Sequence, residues 1–133
     1  MQIIETGFDG LYILQPRIFT DSRGYFFESY KLETFLKAGI PFHPVQDNES
    51  KSAKGVIRGL HYQLEPFAQT KLIRVVVGKI FDVAVDIRQH SKTYGRWFGI
   101  ELDSENKTQF FIPKGFAHGF SVLSEVAVIQ YKC

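Results

Sequence analysis

The feature that most restricts the fold of this chain is a series of short apolar segments separated by glycine-containing turns. Residues 81–88, Phe-Asp-Val-Ala-Val-Asp-Ile-Arg, alternate so that a regular strand places the apolar set on one face and the charges on the other. Turns are predicted at residues 78–79, 91–95 and 103–107. Many short strands with this punctuation predict an all-β sandwich or barrel. The other predicted strands are Lys71 to Val77, Trp97 to Leu102, Gln109 to Ile112 and Val126 to Tyr131.

One short helix is predicted, over Lys31 to Ala38. Leu32, Phe35 and Leu36 fall on one face of this segment at helical spacing. The sequence Gly39-Ile-Pro41 then supplies a glycine and a proline that end a helix.

The size and charge of the chain fit a single domain, residues 1–133. At 133 residues it has no room for a second core of ordinary size, and its 13 Phe and 6 Tyr supply apolar area for a sandwich interior. The 16 Lys and Arg are mixed along the chain with 14 Asp and Glu, which gives a net charge of only +2. Without a basic run to neutralise phosphates, nucleic acid is not an expected partner.

The sequence predicts a cytoplasmic protein. Cys133 is the only cysteine, so neither an intrachain disulfide nor a thiolate metal cluster can form. The first residues, Met-Gln-Ile-Ile-Glu-Thr, lack the basic and apolar regions of a signal peptide. No apolar run approaches the roughly 20 residues that span a bilayer, so no membrane association is expected.

The histidines do not form a convincing metal site. Gly55, His61 and Gln63 resemble the opening of the cupin metal motif, but Gln63 stands where a second His would sit. Residues 113–118, Pro-Lys-Gly-Phe-Ala-His, resemble its second half. A transition metal normally needs three or four protein ligands, and only two remain here. The sequence therefore favours a metal-free cupin with no cofactor.

Proton transfer is the chemistry that these residues suit. His61 can act as a general base near neutral pH, because an imidazole titrates there. The ammonium of Lys71 can stabilise an enolate oxyanion, and the hydroxyl of Tyr131 can donate a proton. Each residue alone would more often be an ordinary wall or surface residue; their combination favours chemistry at an acidic carbon. Arg58 and His61, three residues apart, reach one site only if Gly59 marks a bulge in the strand.

Several longer motifs resemble those of the dTDP-4-dehydrorhamnose 3,5-epimerase family, whose members are metal-independent cupin jelly rolls. The similarity runs from the first residues to the last. The most specific pieces are Asp21-Ser-Arg-Gly-Tyr-Phe-Phe-Glu28, Val45-Gln-Asp-Asn48, Arg58-Gly-Leu-His-Tyr-Gln63, Gln69-Thr-Lys-Leu72, residues 81–88 and Pro113-Lys-Gly-Phe-Ala-His-Gly-Phe120.

The resemblance implies conversion of dTDP-4-dehydro-6-deoxy-D-glucose to dTDP-4-dehydro-L-rhamnose by a homodimer. It implies that His61 accepts the proton and that Tyr131 donates one. Arg23 and Arg58 suit the diphosphate, because a guanidinium binds phosphate oxygens bidentately. The residues implied to line the substrate site are Arg23, Glu28, Gln46, Asp47, Asn48, Arg58, Lys71 and His118.

Three other functions stay open from the sequence. They are a 3-epimerase acting on the same sugar, a 3,4-ketoisomerase, and a cupin that binds a nucleotide sugar without turnover. Family members usually continue past the catalytic Tyr, in a segment that includes an acidic partner for the catalytic His, and this chain is expected to lack that segment. Asp82 is the candidate substitute for that partner of His61.

Overall fold

The computed structural model of the protein describes all residues from 1 to 133. It contains a six-stranded and a four-stranded antiparallel sheet, a separate β3–β4 hairpin and one helix. The predicted all-β jelly-roll sandwich with one short helix is confirmed. The elements in chain order are β1 (Gln2–Glu5), β2 (Tyr12–Gln15), β3 (Phe19–Asp21), β4 (Gly24–Phe26), α1 (Leu32–Lys37), β5 (Asp47–Ala53), β6 (Ile57–His61), β7 (Lys71–Val77), β8 (Lys79–Asp86), β9 (Trp97–Asp103), β10 (Gln109–Ile112), β11 (Phe116–Val122) and β12 (Val126–Lys132).

The two sheets enclose the larger of two apolar cores. The six-stranded sheet has the order β1-β2-β10-β7-β12-β5, and the four-stranded sheet has the order β6-β11-β8-β9. Inward residues of both sheets, among them Ile73, Phe110, Ile80 and Val122, form a cluster of 13 buried side chains. Strands β5 and β6 are thus edge strands of different sheets, and three residues connect them.

The helix packs over a second core of six residues. It ends at Lys37, and Gly39 follows with φ +73, so the predicted helix and its glycine stop are confirmed. Only Phe35 of the predicted apolar face is buried, whereas Leu32 and Leu36 stay exposed. The ring of Phe35 contacts those of Phe42 and Phe111, which anchors the helix to the six-stranded sheet. The helix, at six residues, falls far short of the length that a membrane span requires.

Strand β8 shows the predicted alternation, with its charged face turned inward. Asp82 and Asp86 are fully buried, whereas Phe81 and Val83 are half-buried on the other face. The burial is possible because both carboxylates have partners. Asp86 accepts hydrogen bonds from Arg88, Ser91 and Thr93, and Asp82 contacts His118.

The predicted bulge at Gly59 is confirmed by the pairing of β6 with β11. His61 lies opposite His118 and Arg58 lies opposite Phe120, with a register shift between them. Gly59 has φ +125, and a Cβ there would lie 2.6 Å from Cα of Gly119. The two backbones therefore approach as closely as glycine permits.

Because the backbones approach so closely, a side chain added at Gly119 should destabilise the fold through a steric clash, and not through an unfavourable backbone φ. Gly119→Ala should lower the free energy of unfolding by about 1–3 kcal/mol, because its Cβ would lie 2.8 Å from the Arg58 carbonyl oxygen. Gly7→Ala is the control, since Gly7 has φ +83 but no neighbouring atom within 4 Å, and it should cost about 1 kcal/mol from backbone strain alone. Urea unfolding measures both, and parental stability in Gly119→Ala would contradict the close approach.

Candidate active site

Five of the predicted site residues line one cavity between the ends of the two sheets. We call it the tyrosine cavity; it has a volume of about 160 Å³. The five residues are Arg58, His61, Lys71, His118 and Tyr131. Tyr131 therefore lines the same cavity as His61 and Lys71.

The two sheets contribute opposite walls of this cavity. His61 and His118 come from β6 and β11 of the four-stranded sheet, whereas Lys71 and Tyr131 come from β7 and β12 of the six-stranded sheet. Alternation along each strand turns these side chains inward, as for Lys71, which precedes the inward Ile73 by two residues. A flat ligand held between the walls would present one face to His61 and the other to Tyr131.

A second cavity adjoins the first along His61, Lys71 and His118. We call it the glutamine cavity; it has a volume of about 300 Å³, and Gln63 and Gln69 lie in its wall. The two cavities share these three residues and are therefore continuous with each other along the proposed site. Sequence reasoning placed Gln63 and Gln69 in motifs without giving them a role.

Asp82 is the partner of His118, not of His61. His118 Nε2 lies 2.7 Å from Asp82 Oδ1, and the Asp82 side chain is fully buried. His61 is exposed, and its side chain makes no hydrogen bond within the chain. The prediction that Asp82 orients His61 was wrong, because β8 pairs with β11, and β6 lies on the far side of β11. Only the strand order could have revealed this.

The pKa values of the two inward carboxylates are shifted in opposite directions. Burial raises the pKa of Asp82 above its ordinary value, although the charges of His118 and Lys71 act against this. Burial would also raise the pKa of Asp86, but hydrogen bonds from Arg88, Ser91 and Thr93 outweigh it and hold that pKa well below its usual range.

Other predicted substrate residues lie outside the tyrosine cavity. Arg23 is exposed on the β3–β4 hairpin and binds Asp21 at 2.7 Å. Glu28 lines a separate small cavity near Met1. Asp47 and Asn48 line a third cavity of about 190 Å³ that also reaches Tyr131. Gln46 donates a hydrogen bond to Asn48 Oδ1 at 2.8 Å.

The apolar floor of the tyrosine cavity was missed by sequence reasoning. Ile73, Phe120 and Ile129 form it, and Ser50 lies at its edge. Their inward direction follows from strand alternation once the inner face of each strand is known. Nowhere in the structure do three or more His, Cys, Asp or Glu side chains cluster closely enough to hold a metal ion.

Comparison with known proteins identifies relatives along the whole chain. The model of one family, described as dTDP-4-dehydrorhamnose 3,5-epimerase, matches residues 5–133. The dTDP-4-dehydrorhamnose 3,5-epimerase of Shigella flexneri is 56% identical over 133 residues, which are 99% of this chain and 74% of that protein.

Two solved structures share the fold closely. The dTDP-4-dehydrorhamnose 3,5-epimerase of Elizabethkingia anophelis superposes with a TM-score of 0.96 at 51% identity, covering 100% of this chain and 73% of that chain. The 3,5-epimerase of Legionella pneumophila, solved in complex with dTDP-4-keto-L-rhamnose, gives a TM-score of 0.95 at 53% identity, covering 99% of this chain and 70% of that chain.

The two buried carboxylates predict opposite pH dependences of stability. A raised pKa in the folded chain means that Asp82 lowers stability as the pH rises above its ordinary 3.8. Because the pKa of Asp86 is lowered in the folded chain, its contribution to stability is fully present above pH 3.8 and is lost as the pH falls below that value. The destabilisation caused by Asp82→Asn should therefore shrink from pH 3 to pH 8, and that caused by Asp86→Asn should grow. Urea unfolding across this range measures both, and slopes of the same sign would contradict the assignment.

Proposed function

Because the chain belongs to the dTDP-4-dehydrorhamnose 3,5-epimerase family, we propose that the tyrosine cavity performs this epimerisation with His61 as base and Tyr131 as acid. The substrate is dTDP-4-dehydro-6-deoxy-D-glucose, and the product is dTDP-4-dehydro-L-rhamnose. The single observation that carries the proposal is the placement of His61 and Tyr131 on opposite walls of one cavity. Inversion at a carbon requires removal of a proton from one face and its return from the other.

The reaction needs only groups that the cavity contains. The 4-keto group acidifies the hydrogens at C3 and C5, so His61 can remove either one when the sugar presents it. Lys71 stabilises the enolate oxygen, and His118 lies on the opposite wall beside His61. Tyr131 protonates the opposite face of the carbon. No step uses a metal or a cofactor.

Asp82 gives His118 a role distinct from that of His61. A carboxylate at 2.7 Å fixes the orientation of the His118 ring and favours a proton on Nε2. With its Nε2 proton directed at Asp82, the ring leaves Nδ1 as an acceptor, which can receive a hydrogen bond from a hydroxyl group of the substrate. The exposed, unpaired His61 remains the free base of the site.

Exchange with heavy water tests the catalytic roles. Incubated with the 4-keto sugar in D₂O containing EDTA, the parent should incorporate deuterium at C3 and C5 of the product. His61→Ala should lower incorporation by about 10²-fold or more and leave dTDP affinity nearly unchanged, because the base contacts the sugar and not the diphosphate. Tyr131→Phe should retain exchange but form little inverted product, because removal and return on one face regenerate the substrate.

Mass spectrometry and NMR of the recovered sugar locate the deuterium. Parental exchange in His61→Ala would remove His61 from the mechanism. Equal loss of exchange and inversion in Tyr131→Phe would remove the separate role of Tyr131. Loss of parental activity in EDTA would contradict a metal-independent reaction.

We further propose a homodimer in which Arg23 and Glu28 serve the site of the partner. Within one chain the β3–β4 hairpin lies away from the tyrosine cavity, and its Phe19, Tyr25 and Phe26 are exposed. Edge strand β6 is likewise exposed along its whole length, including Ile57. Exposed apolar side chains on a hairpin and on an edge strand with one free side are typical of a subunit interface.

Subunit complementation tests this arrangement. Arg23→Ala and His61→Ala chains should each be weakly active alone. When they are mixed and allowed to exchange, heterodimers should contain one site with both residues intact, and activity should return to about a quarter of the parental value. No recovery, in a mixture shown by native mass spectrometry to contain heterodimers, would place Arg23 outside the partner's site.

A cytoplasmic location remains part of the proposal. The single thiol, Cys133, suits a reducing compartment. A nucleotide-sugar substrate is consistent with the same compartment.

A further inference from the structure

A buried hydroxyl holds the arginine of the tyrosine cavity. Arg58 Nε donates a hydrogen bond to Ser52 Oγ at 2.9 Å. Ser52 is only 7% exposed, whereas every residue of β6, including Arg58, is exposed. The two residues belong to different sheets, because β5 is the edge of the six-stranded sheet and β6 is the edge of the four-stranded sheet.

This contact determines which nitrogens of Arg58 remain free. A guanidinium has five N–H donors in a fixed plane. The Nε–H is used by Ser52, and Nη2 also lies 3.4 Å from the carbonyl oxygen of Lys51. Anchoring Nε fixes the plane of the group and leaves Nη donors for a ligand in the cavity that Arg58 lines.

Without the anchor, Arg58 would have little else to hold it. An exposed arginine on an edge strand has many rotamers, and a ligand must order them when it binds. The backbone of Ser52 pairs with Ala127 on β12, and an alanine at this position would keep that pairing. The hydroxyl of Ser52 therefore acts on Arg58 and is not needed for the sheet.

We propose that Ser52 is a positioning residue for nucleotide binding, acting through Arg58. It aims the guanidinium into the tyrosine cavity so that the diphosphate meets an ordered pair of donors. This inference rests on the proposed function, which assigns Arg58 to the diphosphate.

Removal of the Ser52 hydroxyl should weaken nucleotide binding and leave the rate of the chemical step nearly unchanged. Ser52→Ala should raise the Kd for dTDP by about five- to tenfold, the effect of roughly one hydrogen bond. KM should rise by a similar factor with kcat nearly unchanged, because the diphosphate is bound equally in the ground state and the transition state. Ser52→Thr, which keeps the hydroxyl, should restore most of the affinity. Ser121→Ala, in a strand position that lines neither the tyrosine cavity nor the glutamine cavity, should match the parent.

A double-mutant cycle with Arg58→Ala separates positioning from a general structural effect. Calorimetry with dTDP is performed on the parent, both single variants and the double variant, after thermal unfolding shows that each is folded. If Ser52 acts through Arg58, Ser52→Ala should cause no further loss in the Arg58→Ala background.

The outcomes distinguish the positioning role of Ser52 from the assignment of Arg58 to the diphosphate. The positioning role of Ser52 would be overturned if Ser52→Ala weakened dTDP binding equally in the parent and in Arg58→Ala, or if it lowered kcat without changing KM. Either result would leave the assignment of Arg58 to the diphosphate intact. Unchanged dTDP affinity in Arg58→Ala alone would instead overturn the diphosphate assignment of the proposed function, and the positioning role with it.

Discussion

The site depends on how closely strands β6 and β11 pass each other. Gly59 and Gly119 face one another where any Cβ would clash with backbone atoms, and the register shifts at that point. In a regular strand, Arg58 and His61 would point to opposite faces. The bulge turns both toward the tyrosine cavity. A steric condition on two glycines thus places the proposed base and the proposed phosphate ligand in one cavity.

The sandwich interior contains two buried carboxylates, Asp82 and Asp86, on the inward face of β8. The inward face of β8 carries two carboxylates where a typical core strand carries apolar residues, and each carboxylate has its own side-chain hydrogen-bond partners. Asp86 anchors residues 88–93 through a fully satisfied network, which is a structural use of a buried charge. Asp82 has one oxygen without a hydrogen bond and contacts a cavity histidine. An incompletely satisfied buried carboxylate beside a cavity is the arrangement expected where charge serves chemistry.

Local pattern predicted much of the fold from the sequence. Apolar alternation predicted the strands now seen as β7, β9, β10 and β12, and helical spacing predicted the helix. The bulge at Gly59 was predicted because Arg58 and His61 are three residues apart and were both expected in one site. Alternation could not determine which face of residues 81–88 is buried, because it separates two faces without assigning either to the core. The partner of Asp82 could not be predicted either, because the strand order brings it beside His118, which is 36 positions away in the sequence. That residues 1–133 form a single domain stays a prediction.

The central claim is that a substrate sugar lies between His61 and Tyr131, with its diphosphate at Arg58. A crystal structure of this chain with dTDP-4-keto-L-rhamnose tests it most directly. The account predicts C3 or C5 within about 4 Å of the His61 imidazole, the Tyr131 hydroxyl on the opposite face of the ring, and phosphate oxygens on the Arg58 guanidinium. A sugar bound outside the tyrosine cavity, or one with His61 and Tyr131 on the same face, would contradict it.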